Sequence, residues 1–127
     1  MNHDRLLTIA SLVSIVLVSI HVSDDVVRGF EPGGFKNLGG IAIMAVWLCA
    51  TLLLRERRWG YVILILGSAL GAVMPMAHML GKGLSPVAAT PGGHLFVWTL
   101  FALGVSSTFS LVLSIRGWWG LRRGGIG

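Results

Sequence analysis

The stretch LLTIASLVSIVLVSIHVSDDVV, residues 6–27, runs from Leu6 to Ser23 without a formal charge and then meets two aspartates. Eighteen uncharged, mostly apolar residues are enough to cross the hydrocarbon of a bilayer as a helix. The run therefore decides the class of the protein: lipid cannot hydrogen-bond a backbone, so a segment of this kind is helical or it is not in the membrane. Cleavage as a signal peptide would need small residues in an A-x-A-like arrangement, and His21, Asp24 and Asp25 interrupt that pattern. The run is expected to be retained.

The rest of the chain repeats the signal. The 127 residues are 54% hydrophobic and 12% charged, against about 25% charged in soluble domains. Mean hydropathy is +0.81. Three further apolar runs follow, at about 38–54, 59–80 and 91–115, the second opened by Gly39 and Gly40. Short polar links separate them: GFEPGGFKN, RERR and GKGLSPVAATPGG. Thr90 followed by Pro91 has the form of an N-cap with proline at N1, which predicts the start of the fourth helix there. Residues 117–127 are expected to form a flexible tail. The expected fold is an all-α, four-helix membrane bundle in one domain, connected up-down-up-down because short links favour antiparallel neighbours.

Basic residues set the expected orientation. With both termini cytoplasmic, that side holds Arg5, Arg55, Arg57, Arg58, Arg116, Arg122 and Arg123, and the other holds Arg28, Lys36 and Lys82. Seven against three over short loops is a positive-inside bias, predicting N-in/C-in in a membrane such as the bacterial cytoplasmic membrane. Trp59, Tyr61, Trp118 and Trp119 lie beside the same basic ends, as an interfacial aromatic belt would. The net charge of +5 comes from these clusters, so it points to headgroups and not to nucleic acid. A single cysteine, Cys49, excludes a disulfide or a CxxC site within one chain.

On that topology His21, Asp24 and Asp25 leave the first span at the outer face, His78 leaves the third span there, and His94 enters the fourth. Glu31 lies in the adjoining loop, whereas His3 is at the other end. Ser14, His21, Asp24 and Asp25 share one helical stripe, and Gly67, Gly71, Met74 and His78 share another at spacings of 4, 3 and 4. The Gly67–Gly71 pair admits a close neighbour, which would turn His78 toward protein. His94, Trp98 and Phe101 align similarly.

Imidazole nitrogens with a carboxylate suit zinc, copper, nickel or iron. His21, His78 and His94 are the expected nitrogen donors, with Asp24 or Asp25 as oxygen donor or as the group orienting an imidazole. No HExxH, HxH or CxxC spacing accompanies them, so the site exists only if the helices gather it. The blander expectation is that these residues sit hydrated among headgroups, with an aspartate paired to Arg28.

Smaller features are expected to be structural. The methionines near His78 read as packing, Pro75 as a kink, and Ser106, Ser107, Thr108, Ser110 and Ser114 as interhelical or back-bonded hydroxyls. FEPGG follows no strand and lacks a P-loop lysine, so it reads as a turn.

Two families of similar size invite comparison. Small multidrug resistance transporters use a glutamate inside their first span, and Leu6–Ser23 holds no acid. SSTFS, residues 106–110, resembles a Thr-Thr-Phe-Ser stretch of fluoride channels, but the remainder of that pattern does not recur. Both families also tend toward weak orientation bias. Neither is assigned.

The leading expectation is an outward-facing binding site for a divalent metal or other cation, zinc or copper in preference to haem. The rival is a non-catalytic accessory subunit docked on a larger membrane complex. A small oligomeric transporter or a metal-dependent membrane hydrolase ranks below both, because no distinct nucleophile or acid–base residue is visible. Self-association belongs chiefly to the transporter alternative, since four short helices seldom enclose a pathway alone.

Overall fold

A computed structural model describes residues 2–31, 33–54, 56–80 and 84–124. The protein is all-helical, 88% helix, with no strand among the described residues. Helix α1 spans His3–Val27, α2 Leu38–Leu53, α3 Arg58–Leu80, α4 Ser85–Ala88 and α5 Gly93–Gly124. A 3-10 turn, Gly34–Asn37, leads into α2. Four of these segments are long and apolar enough to cross a membrane, the second when that turn is included.

The bundle is apolar outside and carries buried hydroxyls inside its apolar core. Ser11, Ser14, Ser68, Ser107, Ser110 and Ser114 are fully buried, while Val16, Leu66 and Val105 are 57%, 61% and 73% exposed. In water this would be a misfolded surface; in lipid it is the stable arrangement, because tails are as apolar as valine and only packing and hydrogen bonds hold helices together.

The inward faces of α1, α3 and α5 repeat at alternating steps of four and three. On α1 it is Leu7, Ser11, Ser14, Val18, His21 and Asp25, all buried. On α5 it is Phe96, Leu100, Leu103, Ser107, Ser110 and Ser114, also buried. On α3 it is Gly60, Leu64, Gly67 and Gly71, continued by Met74 and the half-buried His78. This average period of 3.5 keeps one seam facing its neighbours along a whole span.

Hydroxyls tie the seams at three places. The Ser11 and Thr51 hydroxyls are 2.7 Å apart, joining α1 to α2. Ser14 donates to Ser106 at 3.0 Å, joining α1 to α5. Ser68 donates to Ser110 at 2.9 Å, joining α3 to α5. The expected back-bonding also occurs: Thr108 donates to the Gly104 carbonyl and Ser114 to that of Ser110. Val18, Leu100 and Leu103 follow these hydroxyls along the seams, forming an apolar layer before His21 and Phe96 are reached. His3, at the start of α1, meets the Leu113 carbonyl late in α5 at 3.1 Å.

Glycines let the helices touch. A methyl group at Gly67 would lie 2.6 Å from the Trp47 ring of α2, and one at Gly71 would collide with Ser107 Oγ of α5. A methyl at Gly104 would lie 2.6 Å from the Pro75 ring. Helix α3 is continuous through Pro75, whose ring fills the space that Gly104 leaves.

The boundaries correct the sequence in two places. The fourth long helix begins at Gly93 and not at Pro91, because Thr90 is engaged elsewhere: its hydroxyl donates to the Val87 carbonyl and closes the short helix α4. Residues 117–124, expected as a tail, are helical, with the Arg122 guanidinium 4.0 Å from the Trp118 ring centroid. Of the residues used to argue orientation, Arg55 and Lys82 lie outside the described residues, as do Pro32 of FEPGG and residues 125–127 of the tail.

Gly71→Val should lower stability by about 1–3 kcal/mol, the usual cost of overpacking. Gly39→Ala, where an added methyl meets nothing within 4 Å, should be neutral or slightly stabilising. Thermal unfolding in detergent, followed by far-UV circular dichroism, checks both.

Candidate metal centre

His21 and Asp25 are one helical turn apart near the end of α1, so their side chains share a face by periodicity alone. The backbone then closes the helix tightly behind them. Gly29 adopts φ +75°, the Phe30 amide donates to the Asp25 carbonyl at 2.8 Å, and the Gly29 amide donates to that of Val26 at 3.1 Å. This pair of bonds is a Schellman cap. It satisfies the last carbonyls of α1 and folds Phe30 back over the bundle, with its ring 6.2 Å from that of Phe96.

Three donors converge within this end of the bundle. His21, Asp25 and His78 each offer one ligand atom, all within 4.8 Å of one another. His21 Nε2 is 3.4 Å from Asp25 Oδ2, and His78 Nε2 is 3.9 Å from the same oxygen. The two imidazole centroids are 4.9 Å apart, nearly edge to face. The Phe96 ring walls the group, 4.7 Å from His21 and 5.8 Å from His78.

Tautomers follow from the partners. His78 Nδ1 lies 3.0 Å from the Met74 carbonyl, which can only accept, so Nδ1 carries a proton and Nε2 is the nitrogen that faces Asp25. This backbone contact is the outer support that fixes ligating histidines. His21 is different: it is fully buried, yet neither ring nitrogen has a hydrogen-bond partner, and Asp25 Oδ1 also lacks one among the described residues. Leaving such a group unpaired costs about 1–3 kcal/mol.

The separations carry the same message. A neutral or charged N–H···O bond spans about 2.7–3.2 Å, and 3.4 and 3.9 Å exceed that range. Two donors on one tetrahedral ion with bonds near 2 Å lie about 3.3 Å apart. The His21–Asp25 pair, at 3.4 Å, is close to that spacing; His78 is wider at 3.9 Å, with all three donor atoms within 4.8 Å of one another.

Two residues expected at the site stand away from it. His94 is exposed, and Trp98 and Phe101 of its stripe are 74% and 42% exposed; that stripe faces outward because the buried side of α5 passes through Gly93 and Phe96, on either side of His94. Asp24 is occupied by Arg28, whose Nε donates to Asp24 Oδ2 at 2.8 Å. Arg28 also donates to Thr90 Oγ1 at 2.8 Å, stapling the end of α1 to the segment before α5, and its guanidinium carbon is 5.5 Å from the Phe96 centroid. Glu31 touches Asp25 only through its own amide, 3.3 Å from the Asp25 carbonyl.

Phe96 and the Met74 carbonyl were not anticipated. The alternating four–three run from Phe96 to Ser114 was present in the sequence and would have placed Phe96 inward. A carbonyl acceptor one turn before a histidine leaves no residue-type signal.

His21→Leu tests the cost of the orphaned imidazole. With metal chelated, this near-isosteric change should raise stability by about 1–3 kcal/mol, because it removes unpaired polar atoms without opening a cavity. Thermal unfolding in the presence of a chelator reads the shift.

No family model, curated protein or solved structure matches this chain.

Proposed function

We propose that the protein is a membrane-embedded binder of a divalent first-row metal, held by His21, Asp25 and His78 at the outward end of a four-span bundle. The observation that carries this reading is the fully buried His21 ring, with no partner for either nitrogen among the described residues, beside a carboxylate and a second imidazole. Two imidazoles and one carboxylate form a borderline-hard set suited to zinc or iron(II), with at least one coordination position open. No thiolate or thioether is needed, so copper(I) is disfavoured. His94 and Asp24 lie outside the ligand set.

Orientation belongs to the same proposal. The helices run up-down-up-down with both termini cytoplasmic, which is supported by the basic clusters and by the contacts of His3 with Leu113, Ser14 with Ser106 and His21 with Phe96. The site then opens away from the cytoplasm. His78, 27% exposed at its side chain, is the route in, and the layer of Val18, Leu100 and Leu103 closes the inner side.

Purified protein dialysed against zinc or iron(II) should retain about one metal per chain by elemental analysis. Metal at about 100 times its Kd should stabilise the fold by about 2.7 kcal/mol. His78→Ala and Asp25→Asn should abolish both effects, whereas His94→Ala and Asp24→Asn should leave them intact. Metal retained in His78→Ala, or absent from the parent protein, rejects the proposal.

For orientation, single cysteines introduced as Asn2→Cys, Gly124→Cys and Glu31→Cys in a Cys49→Ser background should react from two sides. The first two label only from the cytoplasmic side, and the third only from the opposite side.

A further inference from the structure

The charge of the centre is incomplete. A divalent ion bound by two neutral imidazoles and the Asp25 carboxylate carries a residual charge of about +1. The neighbouring charges do not cancel it. Asp24 and Arg28 neutralise each other through their 2.8 Å pair, and Glu31 and Lys36 are exposed, with their charges in water. No further histidine, cysteine or acid among the described residues joins the three donors.

The surroundings make that residual charge expensive. His21 and Asp25 are buried, and the aromatic ring of Phe96 forms the wall. An uncompensated unit charge in so apolar a setting costs several kcal/mol unless a counter-charge joins it. Access is limited to the edge beside His78, the only partly exposed member of the three. A small anion that enters from outside past His78 would supply the missing charge.

We infer that the open coordination position of the His21–Asp25–His78 centre takes a small exogenous monoanion, such as a halide, a pseudohalide or a short carboxylate, as the ligand that neutralises the site. This rests on the metal-centre proposal above. The step is an exchange: the anion forms one bond to the metal through its lone pair, a coordinated water leaves past His78, and no electrons or protons are transferred.

Cobalt(II), which takes zinc-like geometry and has visible d–d bands, is the probe. Apoprotein in detergent is loaded with cobalt(II) and titrated with sodium azide at fixed pH and ionic strength, with sodium formate as a second arm. A saturable shift of the d–d bands, reaching one azide per cobalt and matched by formate, is the expected result. His94→Ala should give the same titration.

Bound cobalt whose bands are unmoved by either anion overturns the inference while leaving the metal site standing. Failure of the parent protein to take up cobalt overturns both. A shift that persists in His21→Ala/His78→Ala places the cobalt elsewhere and also overturns the inference. The single variant His78→Gln, at the partly exposed position, supplies the same control if the double variant loses its helical circular dichroism.

Discussion

Lipid offers no hydrogen bonds, and this constraint shapes the whole molecule. Backbone groups are satisfied by helix formation, and most side-chain hydroxyls turn inward to one another or back to their own helices; Ser107, expected to do the same, has no partner among the described residues. Apolar bulk is left for the perimeter. With no hydrophobic force pressing the helices together, association depends on close approach and on hydroxyl pairs. Gly67 and Gly71 on α3 and Gly104 on α5 provide the first; Ser11–Thr51, Ser14–Ser106 and Ser68–Ser110 provide the second.

The same constraint sets the His21 end of the bundle apart by degree. Most buried hydroxyls along the seam have a partner, while Ser107 Oγ and the Trp47 indole nitrogen have none among the described residues. At His21, which occupies the same kind of inward position as Ser14 two turns earlier, both ring nitrogens and the nearby Asp25 Oδ1 are unpartnered together. An imidazole, a carboxylate and an oriented second imidazole interrupt the seam at that end. Val18, Leu100 and Leu103, all buried, lie between this cluster and the hydroxyl ties.

The cap of α1 links local sequence to that chemistry. Gly29 takes a left-handed conformation that L side chains rarely adopt, and the chain turns back so that Phe30 covers Phe96. Arg28, one residue earlier, ties Asp24 to Thr90. Neighbouring aspartates thus acquire opposite roles: Asp24 is consumed in a surface staple, while Asp25, rotated about 100° around the helix, enters the interior. A two-residue acidic pair in the sequence could not announce which would do which.

The sequence by itself determined the helical membrane class, because uncharged runs of spanning length admit no other backbone solution. It also grouped Ser14, His21 and Asp25 on one face of α1, although with Asp24 included, and Gly67 and Gly71 on one face of α3, since such groupings follow from helical period alone. Only tertiary structure decided which candidates meet. His94 carries the right residue type near the right end of a helix, yet the seam of α5 is phased on Phe96, and that phase turns His94 outward. Residue type and depth are local properties written in one segment, whereas the rotation of each helix about its own axis is set by the ridges and hydroxyls of its neighbours.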